Sequence, residues 1–424
     1  MGASYPRSGW ARGDRGHTTS IGAVVQTAAT RRPTKFSYVP ALDALRGVLV
    51  LPVALFHFSI TAGWEPTRTY APGSFYAPST FFALSGYLIT SLLLAERERT
   101  GDLEGWGFWS RRFRRLLPAS VAVILAASVL TALFPDLWGP LPGSDVAAGL
   151  FSLSNWQAIA LADAAQTDPA MGFRLLGPLG VFWSLSLEEQ FYLGLFTVIV
   201  GALAWSRTRG ADFAKLLVGL LVVTGVWSIA SLALIDSTLQ REFFGTDTRA
   251  SELVAGCLLA VWVHHRGLPR SPWWGWVGLA AMLAAVLAWS FVHEYDEWVL
   301  GWGLAAFSVV NLGLIVGASV EGPMSRILAV PPLVWFGRLS YPIYLAHWPM
   351  TLIMNPDRVG ITGWPLIGLR SIASVAVAWV LYRWLETPIR TARMAEWPRG
   401  LVLWGVPACS ALLLALVVSG WGWA

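Results

Sequence analysis

Residues 42–58, LDALRGVLVLPVALFHF, form an apolar stretch of membrane-helix character that carries ionisable side chains along one face. Arg46 and His57 are eleven residues apart, so in a helix they point in nearly the same direction, about 16 Å apart along the axis. Asp43 precedes Arg46 by three residues, a spacing at which helical side chains are neighbours. Arg46 is therefore expected near one membrane surface, and His57 roughly half a bilayer deeper. Because an ionisable side chain is costly to bury at that depth, this stretch predicts a functional site.

The composition indicates a polytopic membrane protein. The chain has 424 residues, of which 55% are hydrophobic and 13% charged, whereas soluble proteins carry about 25% charged residues. Its mean hydropathy is +0.56, and apolar runs of about 20 residues recur along it. The net charge of +5 is interpreted as a topology signal and not as nucleic-acid binding. Cys257 and Cys409 show neither disulfide nor metal-ligand spacing, so no metal site is expected.

The hydrophobic pattern predicts an all-α transmembrane bundle with ten core spans and an eleventh, C-terminal span. We expect a disordered, basic cytoplasmic tail over 1–37, a membrane domain over 38–390 and an additional membrane segment over 391–424. The predicted spans are 41–61, 77–95, 116–134, 180–204, 214–235, 248–263, 273–292, 298–318, 334–354, 365–386 and 400–421.

One further apolar stretch, 146–162, is ambiguous. If it spans the membrane, the basic segment around 207–215 lies outside and every later loop is reversed. If it is re-entrant or interfacial, the inside segments are Arg-rich and the outside loops mostly acidic, at 135–179, 236–247 and 293–297. The positive-inside rule therefore favours eleven spans in the plasma membrane, with a cytoplasmic N-terminus.

Spans two and three contain motifs with two open interpretations each. In FFALSGYLIT, small residues at 85–86 let helices pack closely, whereas Ser85 can also line an active cavity. In FWSRRFRRLLPA, Arg111 and Arg114 share one helical face, and Arg112 and Arg115 share the neighbouring face. Guanidinium forks suit phosphate oxygens, but the same cluster can serve as a topology anchor that contacts anionic lipid.

Span four, VFWSLSLEEQFYL, carries adjacent carboxylates within apolar sequence. Ser184, Glu188 and Tyr192 are spaced by four and form one face, at a depth comparable to that of His57. The alternative is a pair of interfacial carboxylates in water.

Spans six and nine carry the remaining candidates. Arg249 and Glu252 either form a local ion pair of small energetic consequence or frame an external substrate entrance. Ser340, Tyr344 and His347 follow one face toward the membrane centre. His347 can equally be a histidine hydrogen-bonded by a neighbouring helix.

Taken together, these motifs resemble the acyltransferase-3 family of integral-membrane acyltransferases. The matching segments, in the family's order over residues 38–390, are LDALRG with R-x(10)-H, FFALSGYLIT, RRFRRLLPA, WSLSLEEQFYL, RASELVAG and GRLSYPIYLAHWP. The resemblance implies a ten-span core and transfer of an acyl group, often acetyl, from cytoplasmic acyl-CoA to a hydroxyl of a carbohydrate or glycosylated product. Some relatives continue into an external SGNH hydrolase-like domain. Because the sequence stops at Ala424, we expect no acyl relay through such a domain within this polypeptide.

The resemblance and the residue pattern together assign expected roles. We expect His57 to act as general base and Glu188 to orient it or to position the acceptor. Arg111 and Arg114 match the family's R-x-x-R element and, with Arg46, are expected to bind CoA. The candidate substrate-binding residues are Asp43, Ser85, Tyr192, Arg249, Glu252, Ser340, Tyr341 and His347.

Several alternatives stay open at this point. The transfer can be direct, or it can pass through an acyl-enzyme on His57 or Ser85. A transporter or flippase of a polar or glycosylated lipid fits the composition and topology, whereas the arginine cluster favours the enzyme. The acceptor, the acyl length and the oligomeric state do not follow from the sequence.

Overall fold

The protein is built from helices. In a computed structural model, every regular element is helical and no strand occurs within the described residues, which are 38–62, 72–165, 172–235, 238–293, 296 and 298–391. Helices satisfy their own backbone hydrogen bonds, which lipid cannot do, so this is the expected solution for apolar sequence in a bilayer. The predicted tail at 1–37 and the predicted eleventh span at 400–421 lie outside the described residues.

The helices alternate with short 3-10 and π-helical turns. In chain order, they are α1 Pro40–Ile60, α2 Ala77–Thr100, α3 Gly105–Leu133, α4 Gly143–Leu150, α5 Ser154–Ala165, α6 Gly172–Leu175, α7 Phe182–Arg209, α8 Phe213–Leu234, α9 Leu239–Phe244, α10 Thr246–Arg266, α11 Trp273–Phe291, α12 Leu304–Ser319, α13 Pro323–Leu328, α14 Pro331–Arg338, α15 Ser340–Ile353, α16 Pro356–Val359, α17 Gly363–Val380 and α18 Thr387–Thr391. The 3-10 turns are Pro72–Tyr76, Pro135–Leu137 and Gly177–Leu179, and the π-helical turns are Val299–Gly303 and Leu381–Glu386.

Within the described ranges, 7 helical segments are long and apolar enough to cross a membrane. They are Pro40–Ser59, Pro72–Thr100, Gly105–Leu133, Phe182–Arg209, Phe213–Leu234, Trp273–Phe291 and Gly363–Thr391. Each of them overlaps one of the ten predicted core spans. The molecule is therefore a multi-pass membrane protein.

The other three predicted core spans are helical but do not meet this length and hydropathy criterion. Helix α10 has 21 residues with charges at both ends, and α12 has 16 residues. The predicted span 334–354 is interrupted at Leu339, where α14 ends and the 14-residue α15 begins. Length and composition alone thus support seven of the ten spans.

The ambiguous stretch 146–162 forms two short helices. Helix α4 has 8 residues and α5 has 12, and Ser152 between them takes a positive φ of 57°. A membrane-spanning helix needs about 20 residues. The stretch is therefore not one continuous span, which agrees with the re-entrant or interfacial alternative.

Glycines bring α2 and α10 into close contact. A Cβ atom on Gly86 would collide with the carbonyl oxygen of Leu253, and one on Gly256 would collide with that of Ala83. Small residues at this crossing let the two backbones approach. Ser85 precedes Gly86 and is therefore turned by about 100° from this contact. Both interpretations of the FFALSGYLIT motif therefore hold. Gly86 lets the helices pack closely, and Ser85 lines the cavity that is described below.

Helix α1 lies at the centre of the bundle. It packs against α2, α12, α13, α14, α15 and α17. Its polar face is therefore enclosed by other helices rather than by lipid.

Candidate active site

His57 and His347 form a buried pair. His57 lies in the last turn of α1, and its Nδ1 is 2.8 Å from Nε2 of His347 on α15. The two rings are stacked, with centroids 5.0 Å apart and planes inclined by 17°. Only 8% of His57 and none of His347 is exposed. We refer to these two residues as the histidine pair. His347 is thus a buried histidine that is hydrogen-bonded by a neighbouring helix, as one of the two interpretations has it. Its partner on that helix is His57, the expected general base.

The hydrogen bonds determine which nitrogens carry protons when both rings are neutral. Nδ1 of His347 lies 2.6 Å from the carbonyl oxygen of Tyr344, which only accepts, so this nitrogen must be protonated. Nε2 of His347 is then an acceptor, and Nδ1 of His57 donates to it. The unprotonated nitrogen of His57 is therefore Nε2, the atom that can accept a proton from a substrate.

A cavity with an empty volume of about 920 Å³ lies beside this pair, between α1, α2, α3, α7 and α15. Apolar side chains from these helices form much of its wall, including Val53, Phe81 and Leu88. The polar residues that line it are Arg46, Ser85, Arg112, Arg115, Ser184, Glu188, Glu189, Tyr192, Ser340, Tyr341 and Tyr344. Such a mixed lining can hold an apolar chain and a few polar groups at fixed positions.

Glu188 is held within the cavity by two hydroxyl groups. Its Oε2 accepts hydrogen bonds from Ser85 at 3.2 Å and from Tyr192 at 3.0 Å. Ser184, one turn earlier on α7, lines the same cavity. The predicted face of span four therefore points into the cavity, together with the serine of span two.

The neighbouring carboxylate, Glu189, is neutralised by Arg112. Three nitrogen–oxygen distances between them lie between 2.9 and 3.1 Å, and the guanidinium lies 3.4 Å from the ring centre of Tyr192. In the part of the chain that the structure describes, no cation forms an ion pair with Glu188, and no group of three His, Cys, Asp or Glu residues is arranged to hold a metal ion. The two adjacent carboxylates therefore differ: one is paired, and the other is available to polar groups in the cavity.

Three arginines, Arg46, Arg112 and Arg115, define what we call the basic end of the cavity. Arg46 lies 3.9 Å from Asp43, which accepts a hydrogen bond from Tyr38 at 2.8 Å and does not line the cavity. Among the described residues, Arg115 has neither a hydrogen bond nor an ion pair. Arg115 is therefore the arginine of this end that has no direct partner in the described part of the chain, and it lines the open space.

The structure turns the predicted phosphate-binding arginines away from the cavity. Arg111 pairs with Glu96 at 2.8 Å on the surface, and Nε of Arg114 donates to the carbonyl oxygen of Ser110 at 3.1 Å. Arg112 and Arg115, which have the same three-residue spacing, line the cavity instead. The cavity is thus lined by the second pair of this motif, and the expected role of Arg111 and Arg114 in binding CoA stays a prediction.

Tyr344 closes the opposite end of the cavity. Its hydroxyl lies 2.5 Å from Oγ of Ser184 and donates to the carbonyl oxygen of Val181 at 3.0 Å. Its ring centre is 5.5 Å from that of His347. Val53, one turn before the α1 histidine, lines the cavity, but neither imidazole does. The Tyr344 ring is thus the wall between the cavity and the histidine pair.

Ser340 and Tyr341 also line the cavity, as expected for candidate substrate contacts. The hydroxyl of Tyr341 lies 2.6 Å from Oγ of Ser120 and donates to the carbonyl oxygen of Leu116 at 2.8 Å. These bonds fix Tyr341 against α3, so it presents its ring and not a free hydroxyl.

Arg249 and Glu252 form a buried ion pair away from the cavity. They are 2.6 Å apart, and each side chain is 1% exposed. Arg249 also donates to the carbonyl oxygen of Phe243 at 2.8 Å and to Oγ of Ser79 at 3.2 Å. The pair therefore joins α10 to α9 and α2, and it does not frame an entrance to this cavity.

Sequence reasoning raised Arg112 and Arg115 as one of two possible phosphate-binding pairs but chose the other pair, and it missed Arg370. The first two belong to the same basic motif that was singled out, on its other helical face. Arg370 lies on α17 and is fully buried. A lone arginine within an apolar run was the available signal, since intramembrane ionisable residues are rare and mostly functional.

Comparisons with known proteins agree with this architecture. The family model described as an acyltransferase domain, of the acyltransferase-3 family, matches residues 39–383. The chain is similar to the peptidoglycan O-acetyltransferase OatA of Listeria monocytogenes, with 35% identity over 375 residues, covering 85% of this chain and 57% of that protein. It is also similar to the putative peptidoglycan O-acetyltransferase YrhL of Bacillus subtilis, with 34% identity over 376 residues, covering 85% and 56%. The O-acetyltransferase OatA of Staphylococcus aureus is 30% identical over 365 residues, covering 83% and 57%.

These figures show that the chain spans somewhat more than half the length of the curated relatives it matches. No solved structure matches it. The matched region begins at the start of α1 and ends in the π-helical turn after α17, so it contains both the cavity and the histidine pair. The chain therefore belongs to the acyltransferase-3 family.

Proposed function

We propose that the protein is a membrane O-acetyltransferase that moves an acetyl group from cytoplasmic acetyl-CoA to a hydroxyl of a cell-wall glycan. The observation that carries this proposal is the cavity itself, which is lined by three arginines at one end and has a histidine pair behind the wall at the other. The names of the Listeria and Bacillus relatives support peptidoglycan as the acceptor.

We propose ten core spans and an eleventh, C-terminal span, with the N-terminus in the cytoplasm. The Arg-rich segments that the positive-inside rule assigns to the cytoplasm include the one at the start of α3, which contains Arg112 and Arg115. The basic end of the cavity then faces the cytoplasm, where CoA is found. The histidine pair lies toward the outer half, within reach of a glycan.

The donor binds with its phosphates at the basic end. Arg46 and Arg115 provide planar guanidinium forks that match phosphate oxygens. Arg112 contributes less charge, because Glu189 already neutralises it. The pantetheine arm follows the apolar wall and brings the thioester toward Ser85 and Glu188.

The proposed chemistry uses the unprotonated nitrogen of His57. As the acceptor oxygen bonds to the acetyl carbonyl carbon, Nε2 of His57 removes the hydroxyl proton. The carbon–sulfur bond then breaks, and the proton passes to the departing CoA thiolate, which leaves as CoA thiol. His347 accepts a hydrogen bond from Nδ1 of His57 throughout, and Glu188 positions the polar groups of the reactants. Tyr344 must turn aside for the thioester to reach the base.

Acetyl transfer in proteoliposomes tests the proposal. Purified protein receives radiolabelled acetyl-CoA on one side and peptidoglycan fragments on the other, and ester-linked label on the glycan is counted. Loss of a general base lowers rates by about 10²–10⁴-fold, so His57→Ala should lose that much activity. His265→Ala is the matched control, because His265 is exposed at the end of α10, and it should keep wild-type activity.

Two outcomes would contradict the proposal. Near-wild-type transfer by correctly inserted His57→Ala would remove His57 from the chemistry. Passage of a glycosylated lipid across the membrane without CoA, and without ester formation, would instead identify a transporter.

A further inference from the structure

Arg370 is a fully buried cation whose hydrogen-bond partners in the described residues are all main-chain carbonyl oxygens. Its Nη1 donates to Phe58, and its Nη2 donates to Thr61 at 3.3 Å, Thr351 at 3.2 Å and Met354 at 2.8 Å. Its Nε also donates to Met354, at 3.2 Å. No carboxylate forms an ion pair with it in the described ranges. A buried charge held only by carbonyl dipoles is costly. The arrangement therefore indicates that Arg370 has a specific role.

The four carbonyls belong to the ends of two helices. Phe58 and Thr61 lie at the C-terminus of α1, and Thr351 and Met354 at the C-terminus of α15. The last carbonyls of a helix lack intrahelical partners and form the negative end of its dipole. The planar fork of one guanidinium therefore satisfies both ends at once and ties them together.

These same two ends carry the histidine pair. His57 immediately precedes Phe58, and Oγ1 of Thr351 donates to the carbonyl oxygen of His347 at 2.7 Å. The guanidinium thus contacts the helical turn behind each imidazole. A shift of either helix end changes the 2.8 Å separation that fixes the protonated nitrogen of His57.

We propose that Arg370 is a positioning residue that holds the ends of α1 and α15 together and thereby keeps the histidine pair hydrogen-bonded. Its importance for acetyl transfer rests on the proposed function. Its effect on the pair does not, because the hydrogen bond between the imidazoles exists whatever reaction they serve. Lysine cannot replace it, because an ammonium group is a single point with three donors and cannot span both helix ends as the fork does.

The test compares Arg370→Lys with Arg358→Lys. Arg358 also donates to carbonyls at the end of α15, those of Leu352 and Ile353 at 3.3 and 2.8 Å, but it is exposed and contacts no carbonyl of α1. Solid-state NMR of ¹⁵N-histidine protein in lipid reports which ring nitrogen carries the proton and whether the two imidazoles are hydrogen-bonded. His347→Asn assigns the signals of the pair.

We expect wild type and Arg358→Lys to show a hydrogen-bonded pair with the His57 proton on Nδ1. In Arg370→Lys this signature should be lost, and His57 should populate both tautomers. Displacement of a reacting group by about 1 Å costs about 10²-fold in rate, so kcat for acetyl transfer should fall by about that factor. KM for acetyl-CoA should stay within about twofold, because the basic end is at the other end of the cavity.

Each other outcome counts against the proposal. An unchanged imidazole signature in Arg370→Lys overturns it, whatever the activity. If Arg370→Lys and Arg370→Gln both fail to yield folded protein while Arg358→Lys succeeds, the residue is a general folding determinant and the positioning role is refuted. An intact signature in a wild-type protein that transfers no acetyl group refutes the proposed function alone.

Discussion

Replacing Glu252 by glutamine should destabilise the protein strongly, because it leaves a buried guanidinium without its carboxylate. Arg249 and Glu252 are 2.6 Å apart, and each side chain is 1% exposed. Exposed ion pairs are worth about 0–1 kcal/mol, whereas removing one partner of a buried pair costs about 3–5 kcal/mol. Arg249 keeps its hydrogen bonds to Phe243 and Ser79, so we expect the lower value, about 3 kcal/mol.

Thermal unfolding of the detergent-purified protein measures this cost. A large domain shifts its Tm by about 2 °C per kcal/mol, so Glu252→Gln should lower Tm by about 6 °C. The double variant Arg249→Met, Glu252→Met removes both charges and should recover most of the loss, because well-packed apolar side chains often replace a buried pair at little cost. Asp102→Asn is the control. It breaks a pair with Arg207 whose side chains are 67% and 52% exposed, and it should leave Tm unchanged.

The result that would refute this reasoning is specific. If Glu252→Gln melts like the wild type but raises KM for the glycan, the pair lies at a substrate entrance and not in a packed interior. If the double variant Arg249→Met, Glu252→Met melts at a lower temperature than Glu252→Gln, the loss does not come from an unpaired buried charge. The two side chains then stabilise the fold through their other contacts.

Three further substitutions test other parts of the structure. Arg115→Gln should raise KM for acetyl-CoA about tenfold in the transfer assay, because a hydrogen bond to a charged group is worth about 1.5–3 kcal/mol, whereas Arg111→Gln should leave it unchanged. Gly256→Ala should lower Tm, since its Cβ would meet the carbonyl oxygen of Ala83 and overpacking costs about 1–3 kcal/mol. Burial raises the pKa of the Asp145 carboxyl above its ordinary value, so its ionisation costs stability as the pH rises through that pKa. Asp145→Asn removes this cost, and its gain in Tm over the wild type should be larger at pH 7 than at pH 4.

The sequence predicts most of the helices because lipid leaves few choices for an apolar run. Its main failure at the level of elements is span 334–354. Pro342 lies in the first turn of α15, a position where proline is tolerated. The preceding helix α14 is a separate element, which ends at Arg338 and packs against α1.

At the site, the sequence predicts which residues lie deep in the membrane better than it predicts where their side chains point. His57 and Glu188 stand out because each is an ionisable residue in apolar sequence, and helical spacing correctly groups Glu188 with Tyr192. The arginine motif shows the limit of spacing, because Arg111 and Arg112 each have a partner three residues later. Which of the two faces the cavity follows from the packing of α3 against α15 and the π-helical turn Leu381–Glu386, and no local pattern contains that information.

The proposed transfer requires a side chain to move while the histidine pair stays in place. Arg46 and His57, the proposed donor anchor and the proposed base, lie on one helix, so helical rise sets the distance between them, and Pro52 lies in the same helix between the two. The proposed transfer also requires the wall between the cavity and the histidine pair to open. Tyr344 is suited to this, because only its hydroxyl is tied across the cavity, to Ser184 and Val181. The turn that carries His347 is instead fixed through its main chain by Arg370. Rotation of the tyrosine side chain would thus connect the proposed donor and the proposed base while the histidine pair keeps its hydrogen bond.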